Sequence, residues 1–454
     1  MVESTLTRRK FLAKAGTASA AAVAAARGWR WPAPTASVRA ASPAMSLVAW
    51  VNRGAPQSDL IIKSVAAYNA ELQQKGGSVR WETLDIKEGI DAKLAAAAAA
   101  RKGFPDLYLG DDSLSWVGRF IEAGWVLPLN SILAQVDFNW NDFAPGTRWQ
   151  LDGKDYMVNY GPSGFLQYVN LDHASQAGLD LHKSPPDTEA ALIDWAQKLT
   201  KRDASGSVTR SGFLITGSGL QPTVVWGHVL QALGGSLVGP DRRSTNFNNE
   251  NGRTAAQFVL DCFRKYKVAD PNVSDRYKTW LTGNASIFWS GDWVIGSSLL
   301  QQDLKFDVWK MPAFGGRRAS QASLESIVIF KQDDQQRILE AARLLKWFIA
   351  HLREYDATIG DIAPTKSVQQ DPAYRNRPAN KYLGPVADAY SKHYTFPQIS
   401  HPEQDLNYYG GPLLRRNLDR VWLGQASIQD GLDALEKDVK DVLAKAPIIE
   451  FKLV

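Results

Sequence analysis

Between residues 46 and 133 the sequence alternates three times between a short apolar run and a longer stretch with helical spacing. The first run, Ser46–Val51, has the length of a strand, and apolar residues then recur every three or four positions. The runs Val79–Leu84 and Leu107–Leu109 begin two further units of the same kind. This alternation favours a parallel sheet covered by helices on both faces, so we predict an α/β fold class.

The ends of these strands predict where a ligand binds. Parallel α/β sheets bind ligands at the carboxyl ends of their strands, where loops and helix amino termini converge. The first predicted strand ends near Asn52, and the third ends at Asp111 and Asp112. We therefore expect these two loops to lie close together and to form part of a binding site. A cap on the following helix is the ordinary alternative for the two aspartates.

The length and the net charge of the chain indicate which classes of protein it can belong to. A chain of 454 residues exceeds what one hydrophobic core usually serves, so two domains or lobes are expected. The net charge of +5 lies at one end, because residues 1–40 carry seven Lys and Arg residues against Glu3 alone. The remainder has a net charge of −1, which removes the basis for nucleic-acid binding. No run of eighteen apolar residues follows residue 40, and no transmembrane helix is predicted.

The first 44 residues resemble a twin-arginine export signal followed by a linker. Arg8 and Arg9 precede a Phe-Leu pair, and a mildly apolar stretch runs from Ala15 to Ala26. Basic residues, an apolar block and small residues follow one another in the order of such a signal. A basic tail without structure, or an alanine-rich surface helix, is the alternative. The expected location is periplasmic or extracytoplasmic.

Several kinds of catalytic and metal chemistry have no motif in this sequence. The six histidines have no partner at a metal-ligand spacing, and Cys262 is the single cysteine. There is no nucleophile elbow and no phosphate-binding loop. Asp111 and Asp112 are chain neighbours that seldom face one another, so they are poor candidates for a glycosidase pair. We predict no metal, no cofactor and no catalytic residue.

Tryptophan is the positive signal, with 16 residues against 14 tyrosines. Most tryptophans must serve core packing, but several stand beside Gly, Asp or Asn in predicted loops. A sugar presents a C–H face that stacks on an indole ring and hydroxyl groups that bond to polar side chains. The sequence therefore favours a cleft that binds carbohydrate.

Five sequence blocks, in order along residues 46–443, resemble family 1 of the extracellular solute-binding proteins, the sugar-binding subunits of bacterial ABC importers. Each block is a weak pattern, and their common order makes the resemblance specific. The blocks are Phe104–Tyr108 with Glu122–Leu129, Asp152–Tyr156 through Tyr168–Asn170, Gly178–Pro186, Gly234–Gly235 with Phe247–Asn248, and Gly283–Ile287 with Gly291–Trp293.

The resemblance implies a two-lobed periplasmic-binding-protein-like fold of type II, with a sheet and helices in each lobe and the ligand between the lobes. Transferred to this chain, one lobe comprises residues 45–158 and 318–362, and the other comprises 159–317 and 363–454. Lobes of this kind close by a hinge motion. The resemblance also implies a monomer that captures a small molecule and passes it to ABC permease subunits, without catalysis.

The resemblance assigns candidate ligand contacts to loops of both lobes. Trp293 is the strongest stacking candidate, and packing beneath its loop is the alternative. Relatives such as maltose-binding protein place polar contacts in the loop after the first strand, where Asn52 is favoured over Trp50. Where the family often has a glycine pair, this chain has Ser323–Ser326, and Glu325 either directs its charge into the cleft or faces solvent in a loop. Tyr408 belongs to an unusual aromatic and glycine cluster. The full set is Trp50, Asn52, Arg53, Asp111, Asp112, Tyr160, Ser163, Gln221, Trp226, Trp293, Glu325 and Tyr408.

Two alternative functions stay open. The first is a binding protein for an anionic sugar or glycerol phosphate derivative, with Arg53 and the helix amino terminus at Ser58 holding the charge. The second is a secreted carbohydrate-active enzyme, which would need two opposed carboxylates in the cleft.

Overall fold

The computed structural model describes residues 45–54, 56–86, 90–111, 113–356, 359–385, 387, 399–401, 406 and 411–454. Helices and strands are numbered below in chain order over these residues. None of the helices described is long and apolar enough to span a membrane.

The first part of the chain forms the alternating units that the sequence predicts. Its strands and helices are β1 (Met45–Asn52), α1 (Gln57–Gln74), β2 (Val79–Asp85), α2 (Ile90–Ala100), β3 (Leu107–Asp111), α3 (Ser113–Glu122), α4 (Asn130–Ala134), a 3₁₀ turn (Trp140–Asp142), β4 (Trp149–Leu151) and β5 (Lys154–Asp155). β1 pairs in parallel with both β2 and β3, which confirms the predicted parallel sheet.

The central part builds the second sheet and its helices. Its elements are β6 (Val158–Asn170), α5 (Leu171–Gln176), α6 (Glu189–Leu199), β7 (Lys201–Arg202), β8 (Val208–Leu214), α7 (Leu220–Ala232), α8 (Glu250–Arg264), α9 (Arg276–Leu281), β9 (Ala285–Gly291), α10 (Trp293–Leu299) and β10 (Phe306–Trp309). β6 pairs antiparallel with β9 and β10, and β8 pairs in parallel with β9.

The last part of the chain returns to both sheets. Its elements are β11 (Ala322–Ile329), α11 (Gln335–Ala350), α12 (Leu352–Asp356), α13 (Lys366–Gln370), α14 (Pro372–Arg375), a 3₁₀ turn (Pro378–Tyr382), β12 (Ile399–Ser400), α15 (Pro412–Trp422), α16 (Ile428–Leu443), β13 (Ile449–Glu450) and β14 (Lys452–Leu453). Apolar residues at helical spacing predict a helix over Ile428–Leu443, and α16 has these bounds. Ser427 and Asp430 form a capping box at its start, and its apolar residues recur on one face.

The long strand β6 joins the two sheets. β11 lies between β3 and β6 and is antiparallel to both. The first half of β6 pairs with β11 and the second half pairs with β9, so the strand belongs to both sheets. Its register against β11 shifts at Glu325, where Gly161 and Asn159 face consecutive residues and Tyr160 is extra. This is a β-bulge, and Pro162 follows it closely, which is where a strand tolerates proline.

Two groups of apolar cores flank the sheets, as the two-lobed α/β fold requires. Around β1, β2 and β3, one core includes Val51, Leu109 and Phe348, and a second includes Trp116 and Phe330. The cores around β8 and β9 are separate and contain the aromatic residues of the second lobe. Each lobe therefore has its own core, with β6 running between them.

The division into lobes stays a proposal. Two segments that the sequence division assigned to the second lobe pack against the first lobe. Ala363, Val368 and Tyr374 lie in a core of the first lobe. At the end of the chain, β14 pairs with β4, and Ile449 packs among first-lobe aromatic residues. α15 and α16 pack in the second-lobe core, so the chain crosses between the lobes once more after α16.

Two local predictions were wrong. Ser58 does not cap the first helix, because α1 begins one residue earlier and Ser58 is buried within its first turn. Helical spacing over Ser115–Leu133 predicts one helix, but the structure has two, α3 and α4, separated by a segment that includes Gly124 at a positive φ of 72°. Glycine ends a helix readily in this conformation, and Pro128 prevents an early restart.

Candidate functional site

The carboxyl ends of β1 and β3 bring their polar residues together, as the sequence predicts. The Asn52 amide donates to the Tyr108 hydroxyl at 3.1 Å and lies 3.5 Å from an Asp111 carboxylate oxygen. Arg53 forms an ion pair with Asp111 at 3.3 Å. A Cβ on Gly110 would lie 2.4 Å from the Tyr108 hydroxyl, so glycine permits this close packing. Asp112 lies outside the described residues.

Arg53 is held from below by a buried acid. Its guanidinium forms an ion pair with Glu325, whose side chain is 1% exposed. The Tyr355 hydroxyl donates to the other Glu325 oxygen at 2.9 Å. Burial opposes the charge of Arg53, but attraction by Glu325 and its neighbours outweighs it and raises the pKa of Arg53 further. Glu325 therefore fixes Arg53 rather than extending into the cleft.

More buried acids lie near Glu325, where the two sheets meet. Asp292 follows β9, Asp356 ends α12, and Asp361 comes shortly after it. Burial raises the pKa of Glu325, and Arg53 opposes that rise while Asp361 adds to it. Burial also raises the pKa of Asp292, with a further contribution from Asp361. A hydrogen bond with the Ser163 hydroxyl lowers the pKa of Asp292 and so opposes this rise. Ser163, which was predicted to contact the ligand, therefore interacts with the buried acid.

The opposite wall of the cleft is aromatic. The Trp293 indole N–H donates to the Tyr277 hydroxyl at 3.3 Å, and the indole ring meets Phe165 edge-on at 5.3 Å. A Cβ on Gly291 would come within 1.9 Å of the Trp293 ring. Glycine at this position therefore lets the indole lie against the end of β9.

Gln221 and Arg276 complete this wall. Gln221 sits in the first turn of α7 and donates to the Trp289 backbone carbonyl at 3.0 Å. Arg276 begins α9, and its guanidinium lies 4.5 Å from the centre of the Tyr277 ring.

A cleft of about 460 Å³ separates the two walls. This volume is within the range of small-molecule sites. The residues that line the cleft come from both lobes: Arg53, Gly54, Gln57, Asp111, Phe165, Leu220, Gln221, Arg276, Tyr277, Leu281, Ser290, Trp293, Val294, Ser297 and Gln321. Polar and cationic side chains therefore face a half-buried indole across a space that suits a small polar molecule.

The structure brings four of the predicted contacts to the cleft: Arg53, Asp111, Gln221 and Trp293. Asn52 is next to it and supports Asp111. Glu325 and Ser163 are buried behind it.

Three predicted contacts are reassigned to packing. Trp50 is 8% exposed in a first-lobe core, where its strand is buried on both faces. Tyr160 is fully buried between Phe348 and Tyr355. Trp226 is fully buried in the second lobe, and its indole donates to the Gly252 carbonyl at 3.1 Å. Tyr408 lies outside the described residues.

Sequence reasoning missed much of the second-lobe wall. Arg276 and Tyr277 are in a six-residue helix that belongs to none of the resembling blocks. An Arg-Tyr pair just before the Gly283 block was an available signal. Gln57, Ser290 and Gln321 gave no signal, because polar residues at strand ends and helix starts are common.

Comparison with known proteins gives a family match. The profile of the bacterial extracellular solute-binding protein family matches residues 56–351, more than half of the chain.

Solved structures share the fold over most of the chain. A solute-binding protein of an ABC transporter from Thermotoga lettingae, bound to α-D-tagatose, has 18% identity and a TM-score of 0.70 and covers 88% of this chain and 100% of its own. The maltose-bound MalE3 of Thermotoga maritima has 18% identity and a TM-score of 0.72, with the same coverage. UgpB of Mycobacterium tuberculosis, in complex with glycerophosphocholine, has 15% identity and a TM-score of 0.73 and covers 88% of this chain and 98% of its own.

Proposed function

This chain belongs to the bacterial extracellular solute-binding proteins, and from that membership we propose that it captures a sugar or sugar derivative between its lobes for an ABC importer. One observation carries the proposal: the Trp293 indole lines the cleft opposite the polar side chains of Arg53 and Asp111. The indole stacks on the C–H face of a sugar ring, and the polar groups bond to its hydroxyls. Similar structures hold tagatose, maltose and glycerophosphocholine, all rich in hydrogen-bonding oxygen atoms.

Capture proceeds by closure of the lobes about the segments that join them. The bulge at Tyr160 and the adjacent Pro162 interrupt the ladder where β6 passes between the sheets. Gly360 belongs to the first lobe and lies against Ile295 of the second lobe, where a Cβ would come within 2.7 Å of that side chain. Hinges use a few residues at such interruptions to absorb the change in backbone angles. Closure removes water from the cleft and strengthens polar contacts to the solute.

The role is binding rather than catalysis. Within the described part of the chain, Asp111 is the carboxylate that lines the cleft, and Glu325 is held beneath it by Arg53. Glycoside hydrolysis usually needs two opposed carboxyl groups that reach the substrate. Transport energy then comes from a separate ATPase, with a permease as the membrane partner of this monomer.

Export places the protein outside the cytoplasm, and we assign it to the twin-arginine pathway. Residues 1–44, which carry the Arg8–Arg9 pair, lie outside the described residues. Amino-terminal sequencing of the exported protein tests the assignment. We expect a start near residue 41 or 45, and a start at Met1 would contradict it.

Isothermal titration calorimetry with a panel of sugars and sugar derivatives tests the proposed function. The panel contains D-tagatose, maltose, glycerophosphocholine and common hexoses and disaccharides. We expect one compound to bind at a ratio of one per chain with micromolar or tighter affinity, about −8 kcal/mol. Mass spectrometry should recover that compound intact. Absence of binding across the panel, or recovery of shorter products, would contradict the proposal.

A further inference from the structure

Arg276 differs from the other cleft arginine in its ionic partners. Arg53 has two carboxylates within ion-pair distance, Asp111 and Glu325. Among the residues that the structure describes, Arg276 has none, although it is half-buried and lines the cleft. Its described hydrogen bond goes to the Tyr277 hydroxyl at 3.1 Å. A guanidinium carries five N–H donors, so most of them face away from any partner in the described chain.

Tyr277 holds this guanidinium in place. The Tyr277 ring lies beneath the Arg276 guanidinium at 4.5 Å, and the Tyr277 hydroxyl accepts from both Arg276 and the Trp293 indole. A hydroxyl accepts two hydrogen bonds, so both of its acceptor positions are filled and its own proton is left to donate. Arg276, Tyr277 and Trp293 thus form a preorganised cluster on the second-lobe wall.

Because none of the described residues forms an ion pair with Arg276, an anionic ligand is favoured for this cluster. The charge of Arg53 is compensated inside the protein, whereas that of Arg276 faces the cleft. In the open cleft water solvates the guanidinium, and closure removes that water. A desolvated cation is costly unless a counter-charge replaces the water. A neutral polyol would occupy some of the N–H donors but would leave Arg276 without an ion-pair partner.

We propose that the captured compound is a polyhydroxylated molecule with a carboxylate or phosphate group, and that Arg276 is the specificity-determining residue that pairs with this group. The inference rests on the proposed function and narrows its ligand class. Arg53 and Ser58, which the sequence offered for this task, do not perform it. Arg53 is neutralised by Glu325, and Ser58 is buried outside the cleft lining.

The experiment compares acidic and neutral compounds of matched shape. Calorimetry measures binding of D-galacturonate against D-galactose, D-glucose 6-phosphate against D-glucose, and sn-glycerol 3-phosphate against glycerol. Wild-type protein should bind the acidic member of one pair more tightly, by about tenfold to hundredfold, as expected of hydrogen bonds to charged groups. The first pair identifies a carboxylate, and the other two identify a phosphate.

Variants at Arg276 assign the preference to this residue. Arg276→Gln should abolish the acidic preference while neutral compounds bind as before, and Arg276→Lys should retain part of it. Arg243→Gln makes the same charge change at an exposed position of the second lobe outside the cleft lining, and it should leave the preference unchanged.

The outcomes separate this inference from the proposed function. Preference for the neutral member of each pair, or an acidic preference that survives in Arg276→Gln, would overturn the inference and leave sugar capture standing. Binding of none of the six compounds by the wild-type protein would overturn the inference, and failure of the whole panel would overturn the proposed function as well.

Discussion

The two walls of the cleft are built from different interactions. On the first lobe, Arg53 is tied to Asp111 and to the buried Glu325, so its charge is satisfied before any ligand arrives. On the second lobe, Trp293, Tyr277 and Arg276 present a ring face and N–H groups that have no ionic partner among the described residues. The first wall therefore contributes mainly to the stability of the folded protein, and the second wall contributes mainly to the affinity for the ligand.

Replacing Arg53 tests whether the first wall stabilises the folded protein, and it has the largest expected effect. Arg53→Met leaves Glu325 buried without its counter-charge, which costs about 3–5 kcal/mol when a buried pair loses one partner. Chemical denaturation should show that loss in the free energy of unfolding. Adding Glu325→Gln should restore part of it. An unfolding free energy equal to that of the wild type in Arg53→Met would refute the structural role of this wall.

Removing the Trp293 ring tests the second half. Trp293→Ala should weaken binding of the tightest compound of the panel by about 2–3 kcal/mol, the scale of an interfacial hot spot. Calorimetry measures the loss. Trp309→Ala is the matched control, because Trp309 is also a half-buried tryptophan of the second lobe but does not line the cleft. Equal affinity losses in the two variants would refute the stacking role.

Gly291 gives a finer test of the same wall. Gly291→Ala places a Cβ where the Trp293 ring now lies, and overpacking of this kind costs about 1–3 kcal/mol. We expect weaker binding and a lower melting temperature, because the indole must shift. Gly384→Ala is a suitable control, since a Cβ there meets nothing within 4 Å. Unchanged binding by Gly291→Ala would show that the position of the indole is not critical.

The buried acids between the walls predict a pH dependence of stability. Burial raises the pKa of Asp292 above its ordinary value of 3.8, so the folded protein keeps a proton that the unfolded chain releases. Stability is therefore greatest below that ordinary value and falls as the pH rises towards the folded pKa, by up to about 1.4 kcal/mol per pH unit for one proton. Asp292→Asn should flatten this slope in denaturation curves recorded from pH 4 upwards. An unchanged slope would exclude Asp292 as its source.

The sequence predicted the first wall better than the second, for a physical reason. Strand–helix alternation places the ends of β1 and β3 at one edge, so the proximity of Asn52 and Asp111 followed from topology alone. Trp50 and Trp226 were misassigned because an abundance of tryptophan does not distinguish a core from a cleft. β1 is largely buried on both faces and α7 is buried over most of its length. The spacing of apolar residues therefore does not show which side of either element faces the cleft.

The second wall depends on long-range packing that no local pattern encodes. Arg276 and Trp293 are 17 positions apart in the sequence, and Tyr277 connects them by hydrogen bonds. Trp293 was predicted because it lies in a recognisable block with Gly291. The role of Glu325 was reversed from ligand contact to internal counter-ion, because its partner Arg53 is remote in the sequence.

Small-angle X-ray scattering tests the central claim, capture between two closing lobes, most directly. The radius of gyration is measured for the wild-type protein alone and with a saturating amount of the tightest compound of the panel. Closure around the compound predicts a smaller radius of gyration in the bound state. Stoichiometric binding by calorimetry together with an unchanged scattering curve would contradict capture by closure.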